Sequence, residues 1–324
     1  MSIITGLSYY IPKVNYSNER LIRKKKNRSK IVNKIGINKK FRADKNEYAS
    51  DLATKSIKKL LLKSNYKSKI DFFINCTQSN DYLLPGNSTL IQKNLSLNKI
   101  PCLDVNMGCS GFVYSLCLAN SLINSGVAKC ILISTSDTYS KFINQKNTHV
   151  SSIFGDAATA CIIEGTNSKT GIGFFDLGSD GNCFTDLLVR NRGLKIEEKY
   201  DNYLNMDGPS MFSFALREVP KTINNTLKKN NLNKEQIDFF ILHQANMYML
   251  ESIREKLNID QNKMLNFVNF GNTTSSTIPI VLHNAIKKKK IRKGNKILIC
   301  SFGLGASWSS TIITISQKLM ENIR

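Results

Sequence analysis

The chain lacks any apolar run of the ~18–20 residues needed to cross a bilayer. It has no CxxC pair and no cysteine–histidine cluster at metal-ligand spacing. Histidine and tryptophan are scarce, at three and one in 324 residues. These absences exclude a helical membrane span, a zinc ribbon and a thioredoxin-type redox motif. The start, Met1-Ser2-Ile3-Ile4-Thr5-Gly6, shows no basic segment followed by an apolar core, so no secretory signal is expected. Several of the eight cysteines (Cys76, Cys130, Cys161, Cys300) lie inside apolar runs, where they act as small hydrophobes. A reducing, cytoplasmic location is expected, with no metal site and no membrane insertion.

Acidic residues are few as well: 24 against 46 Lys and Arg, for a net charge of +22. The excess gathers in two places. One runs from Arg20 through Lys24, Lys25, Lys26, Lys30 and Lys34 to Arg42; the other is Lys287-Lys288-Lys289-Lys290 with Arg292 and Lys293. Such a field suits either a solvated face or an acidic partner. Nucleic acid is not expected, because no zinc-finger spacing or RNP-type aromatic pattern accompanies the charge.

The chain repeats itself. Ile70-Asp71-Phe72-Phe73-Ile74 returns as Ile237-Asp238-Phe239-Phe240-Ile241, and Lys129-Cys130-Ile131-Leu132-Ile133-Ser134 is echoed by Lys296-Ile297-Leu298-Ile299-Cys300-Ser301. Both matches fall at nearly the same offset, so two equivalent halves are expected, 1–165 and 166–324, meeting near the polar stretch Glu164–Lys169. The repeated segments read as strands buried on both faces. The spacing of Leu52, Ile57, Leu60 and Leu61 predicts a helix over 49–62. Further helices are expected over 88–97, 111–125, 211–228, 246–257 and 278–290. Further strands are expected over 3–8, 102–106, 157–163, 170–177 and 310–315. Alternating strands and helices predict an α/β architecture.

Three polar residues stand out in separate apolar contexts. Cys109 lies in Asn106-Met107-Gly108-Cys109-Ser110-Gly111, where a β-rich run turns helical. His243 opens His243-Gln244-Ala245-Asn246 at the end of a strand pattern. Asn272 lies in Gly271-Asn272-Thr273 before another helical pattern. A thiol, an imidazole and a carboxamide are the parts needed to hold an acyl group covalently and to stabilise a negative oxygen on a second substrate. A cysteine before a helix also faces the positive end of the dipole, which favours thiolate.

These strings, in this order, resemble the β-ketoacyl-acyl-carrier-protein synthase III family of the thiolase-like superfamily, over nearly the whole chain. The resemblance implies a five-layer αβαβα fold built from two duplicated halves, and a homodimer. It implies that Cys109 carries the acyl group, that His243 and Asn272 stabilise the enolate formed as a malonyl thioester loses carbon dioxide, and that the acyl oxyanion is met by the backbone N–H groups of Cys109 and Leu304. Leu84, in Leu84-Pro85-Gly86, matches the position that shapes the acyl pocket of the neighbouring subunit. Lys30, Lys34 and Asn246 fall where a carrier protein or its phosphopantetheine binds. The substrates implied are acyl-CoA and phosphopantetheinyl thioesters; acyl-carrier protein is the partner, and no cofactor is implied. Asp156, in Phe154-Gly155-Asp156, is expected to tie down loop amides.

Three positions depart from the family. Lys30 stands where a tryptophan stacks on adenine, Thr148 near the opposing arginine, and Tyr248 where an arginine contacts the carrier. These point to a specialised synthase, one that makes a short acyl group for a surface glycan or a secondary metabolite. Two other readings compete: acyl transfer to an alcohol or amine without condensation, and a non-catalytic module that binds carrier protein or nucleic acid through its charge.

Overall fold

The computed structural model describes residues 1–21, 28–62, 64–168 and 170–324, with side chains at all of these except 20 and 28–31. Arg23, Lys24, Lys25 and Lys26 of the first basic cluster lie outside the described residues, as do the side chains of Arg20, Arg28 and Lys30.

Two sheets form the frame. The first contains β1 (Ser2–Tyr10), β2 (Phe72–Cys76), β3 (Cys102–Val105), β4 (Cys130–Asp137) and β5 (Ala157–Gly165), in the order β1-β5-β4-β2-β3. The second contains β6 (Asp176–Ser179), β7 (Phe239–Leu242), β8 (Lys296–Gly303) and β9 (Ser307–Thr314), in the order β7-β8-β9-β6. The repeat is visible in the pairing. β2 runs parallel to β4 with Phe72 opposite Ile131, and β7 runs parallel to β8 with Phe239 opposite Ile297. Each parallel pair then continues antiparallel into β5 or β9.

The aspartate of the repeated string has the same task in both halves. Asp71 accepts from the Lys129 and Cys130 N–H groups at 2.8 and 2.9 Å, and Asp238 accepts from the Lys296 N–H at 2.7 Å. Each carboxylate staples the start of the adjacent strand. It satisfies amides the ladder leaves unpaired.

Helices fill the remaining layers. α1 (Ala49–Leu61) and α2 (Asn87–Leu95) cover the outer face of the first sheet, and α4 (Gly208–Lys229) and α5 (Met247–Lys256) that of the second. Between the sheets lie α3 (Gly111–Asn124) and α6 (Thr277–Lys287), each touching both. Their apolar residues, such as Phe112, Leu116, Ile278 and Leu282, merge with Ile133 and Ile299 of the sheets into one core. The result is the five-layer αβαβα fold.

One expected strand is displaced. The stretch 170–177 is regular only over Asp176–Ser179. Its earlier part runs irregularly along β9, with the Thr314 N–H reaching Gly171 O at 3.0 Å and the Gly173 N–H reaching Ile312 O at 2.8 Å. The chain lies so close to its neighbours there that a side chain at Gly171 would meet Ser2 O at 2.4 Å.

Candidate active site

Cys109, His243 and Asn272 line a single cleft of about 360 Å³ between the halves. Each is held by main-chain bonds of its own. Cys109 stands two residues before α3. The His243 N–H donates to Cys300 O at 2.8 Å, extending the β7–β8 pairing by one residue. Asn272 is gripped by the first half: its N–H donates to Ile153 O at 2.9 Å, and its carbonyl accepts from Gly155 N–H at 3.0 Å. Only glycine fits at 155, since a Cβ there would sit 2.2 Å from Phe270 O. The Phe154-Gly155-Asp156 string thus serves to dock Asn272. Asp156 anchors this region by accepting from Ser140 N–H at 2.9 Å, Ser140 Oγ at 2.5 Å and Ala43 N–H at 2.8 Å.

The three side chains are almost fully buried: Cys109 is 4%, His243 2% and Asn272 4% exposed, so reagents reach them only through the cleft. The Asn272 amide opposes the upward push on the Cys109 thiol. Its orientation follows from the Thr274 N–H, which donates to Asn272 Oδ1 at 2.9 Å, so that Nδ2 is the end left to donate into the cleft. The His243 ring packs edge-on to Phe302, centroids 5.5 Å apart, and its Nδ1 lies 2.8 Å from Thr277 Oγ1. That hydroxyl is also 3.1 Å from Thr274 O. Its one proton therefore decides which ring nitrogen carries hydrogen.

Burial sets the ionisation. It pushes His243 down to about 3, with the Thr274 carbonyl opposing, so the ring is neutral at physiological pH. Burial, and then the Asp137 carboxylate, push the Cys109 thiol up to about 12, against its own N–H and the Asn272 amide. Burial, the largest cause, thus runs against the thiolate that the start of the 14-residue α3 favours.

The sequence contexts match known families directly. Residues 103–181 match the family described as 3-oxoacyl-[acyl-carrier-protein (ACP)] synthase III, and residues 227–315 match its C-terminal region, together more than half of the chain. A β-ketoacyl-[acyl-carrier-protein] synthase III of Clostridium tetani is 33% identical, covering 96% of this chain and 97% of that protein. The chain belongs to the 3-oxoacyl-[acyl-carrier-protein] synthase III family. It is an acyltransferase of the condensing type. The crystal structure of a 3-oxoacyl-(acyl-carrier-protein) synthase III superposes with a TM-score of 0.94 at 32% identity, over 97% of this chain and 99% of that one. A synthase structure from Burkholderia xenovorans LB400 gives 0.93 at 29% identity, over 98% and 95%.

The remaining expected site residues of this synthase III family member fall in different places. Asn246 lines the cleft, and its Oδ1 caps α5 by accepting from the Met249 N–H at 2.9 Å. Lys34 sits with its ammonium 3.9 Å from the centre of the Tyr248 ring, which also stacks with Phe212 at 5.3 Å and 13°. Tyr248 and Phe212 both line the cleft, so Lys34 marks its outer end. Leu304 follows Gly303 of this cleft and lines a second cavity of about 780 Å³ together with Gly108, the residue before Cys109, and with Tyr82 and Leu83. Leu84 is 83% exposed and lines neither cavity of its own chain. The Lys287–Lys290 cluster is exposed at the end of α6 opposite Thr277. An 11-residue helix separates it from His243 by roughly 16 Å, so it forms a solvated face away from the cleft.

Sequence reasoning missed the supports of the site: Thr274, Thr277, Phe302 and Gly303. A signal existed in the unbroken polar run Thr273-Thr274-Ser275-Ser276-Thr277, all of it buried. Gly303 is tested most simply. A Cβ there would lie 2.6 Å from Cys109 Cβ and 3.2 Å from Sγ. Gly303→Ala should displace the nucleophile and slow acyl transfer by ~10²-fold, the cost of about 1 Å of misplacement. The rate of acyl-adduct formation by intact mass reads this out; a normal rate would mean the thiol has room to move.

Proposed function

We propose that the protein catalyses a decarboxylating Claisen condensation of an acyl thioester with a malonyl thioester on acyl-carrier protein, in fatty-acid or specialised short-acyl biosynthesis. The observation that carries this is the convergence of Cys109, His243 and Asn272 on one cleft. In the first half-reaction the Cys109 sulfur bonds to the acyl carbon and the bond to the donor sulfur breaks. The donor leaves as a thiol with the proton Cys109 gives up. The Cys109 and Leu304 N–H groups receive the transient oxyanion. In the second, the malonyl thioester loses carbon dioxide, and the electron pair becomes an enolate whose oxygen accepts from His243 and Asn272. The carbanion then attacks the acyl carbon, and Cys109 departs as thiolate and regains a proton from solvent.

This role requires hydrogen on His243 Nε2, so Nδ1 must accept from the Thr277 hydroxyl, whose one proton then turns from the Thr274 carbonyl to the ring. A ring held near 3 is a poor general base. That weighs against simple transfer to an alcohol or amine, which needs a base to deprotonate the acceptor. The same three-part site weighs against a non-catalytic carrier-protein or nucleic-acid module.

Lys34, beside the outer end of the cleft, together with Lys30 and Asn246, suits a phosphopantetheine arm on acyl-carrier protein. The exposed Tyr82, Leu83 and Leu84 beside the second cavity suit a homodimer in which Leu84 closes that cavity in a second copy. Eight unpaired thiols suit a cytoplasmic enzyme, and the chemistry calls for no metal or cofactor. Among the described residues no helix is long and apolar enough to cross a membrane.

The test is a panel of acyl-CoA and acyl-carrier donors, with malonyl-carrier protein, followed by intact mass at several salt concentrations. The expected result is an acyl adduct on the protein, a 3-ketoacyl carrier product, and a preference for carrier-bound substrate that weakens with salt. Acylation without a ketoacyl product would favour simple transfer. A salt-insensitive preference for CoA would defeat the carrier assignment.

A further inference from the structure

Asp137 ends β4, wholly buried, and beyond its push on the Cys109 thiol it has no role in the steps so far described. Its Oδ1 accepts from the Gln78 N–H at 2.9 Å and from the Thr77 and Ser79 hydroxyls at 3.2 Å each, all in the first half of the chain. Its Oδ2 accepts from the Thr274 hydroxyl, with Ser275 Oγ at 3.5 Å, in the second half. Thr274 is a β-branched residue at φ +53°, a left-handed conformation it would not adopt unaided.

The Thr274 peptide units are where the supports of both enolate donors meet. Its N–H fixes Asn272 Oδ1 at 2.9 Å, and its carbonyl lies 3.1 Å from the Thr277 hydroxyl that contacts His243 Nδ1. We propose that Asp137 is a positioning residue for the decarboxylation half-reaction, holding Thr274 in its left-handed conformation so that Asn272 and His243 present their donors together to the thioester oxygen. The inference rests on the functional reading above.

A packing role alone does not account for this group. Its charge works against the nucleophile, being the second cause that pushes the Cys109 thiol up. Asp137 is therefore adverse to the first half-reaction and serves the second. The two half-reactions should respond to its loss with opposite signs, which general damage to the fold would not produce.

The experiment measures both half-reactions in wild type, Asp137→Asn, Thr274→Val and Thr274→Ser. Acyl-adduct formation is followed by intact mass, and decarboxylation by carbon dioxide release from malonyl-carrier protein. Inactivation by iodoacetamide, read as loss of acyl transfer, reports the Cys109 thiol. Asp137→Asn and Thr274→Val should each lower decarboxylation by ~10²-fold, the size of one lost oxyanion donor. In Asp137→Asn, acyl transfer and inactivation should hold steady or quicken. Thr274→Ser, which keeps the hydroxyl, should retain most of the decarboxylation. If Asp137→Asn does not fold, the Thr274→Val and Thr274→Ser pair decides alone. Parallel loss of both half-reactions in Thr274→Val, or normal decarboxylation in it, overturns the inference. A wild type that neither acylates nor decarboxylates sinks the functional reading itself, and is thereby told apart from failure of the Asp137 role.

Discussion

Cys109→Ala takes up no acyl group: intact mass after incubation with any acyl donor stays that of the unmodified protein, and condensation falls by on the order of 10³–10⁶-fold, as when a nucleophile that works as a unit with its neighbours is removed. The other seven cysteines do not substitute. Cys76, Cys130, Cys161 and Cys300 are buried, with thiols pushed far up by desolvation. Cys102, Cys117 and Cys183 are partly exposed but do not line the cleft. Malonyl decarboxylation should survive in Cys109→Ala, because His243 and Asn272 hold their positions through the main chain rather than through the sulfur. A stable adduct on Cys109→Ala would sink the assignment of the nucleophile.

The pH dependence of the same step is fixed in sign. With the Cys109 thiol near 12, thiolate is the minor form across the physiological range. Acyl-adduct formation in wild type should rise about tenfold per pH unit through the alkaline range where the protein stays folded, with no plateau near the ~8.5 of an ordinary cysteine. A plateau at 7–8 would show that the helix end does favour thiolate strongly enough to offset burial.

The frame was legible because strands buried on both faces leave a continuous apolar signature, and because the duplication wrote that signature twice. Asp71 and Asp238 are the clearest case. The repeated Ile-Asp-Phe-Phe string marks a β-strand and carries the carboxylate that staples its neighbour. Cys109, His243 and Asn272 were legible because each interrupts an apolar context. The supports were not. Thr274 and Thr277 act through main-chain direction and hydroxyl orientation, which residue type does not encode. Asp137 meets Thr274 across a sequence separation of 137 residues. The state of the Cys109 thiol is not legible because a helix start is visible in sequence whereas the depth of burial is not. The segment 170–175 reads as part of a strand, while the close approaches at Gly171 and Gly173 that accompany its irregular course arise only in the assembled fold.

His243→Ala and Asn272→Ala each separate the two half-reactions in the direction opposite to Cys109→Ala. Both should still form the acyl adduct, because Cys109 is held by its own main-chain position at the start of α3. Both should lose malonyl decarboxylation by ~10²–10³-fold, or roughly 3–4 kcal/mol, the usual cost of one well-aimed oxyanion donor. The double variant should fall well short of the sum, since an enolate oxygen poorly held by one donor gains little from the other. Asn272→Asp should be at least as poor as Asn272→Ala. A carboxylate offers no hydrogen to the enolate, and its charge beside the sulfur disfavours thiolate further. Wild-type decarboxylation should show no ionisation near the ~6.5 of an ordinary histidine that His243→Gln abolishes, because burial holds this ring neutral down to about pH 3. A limb near pH 6.5 that His243→Gln removes would mean that the ring charges during turnover, and that it works as an acid rather than as a fixed neutral donor.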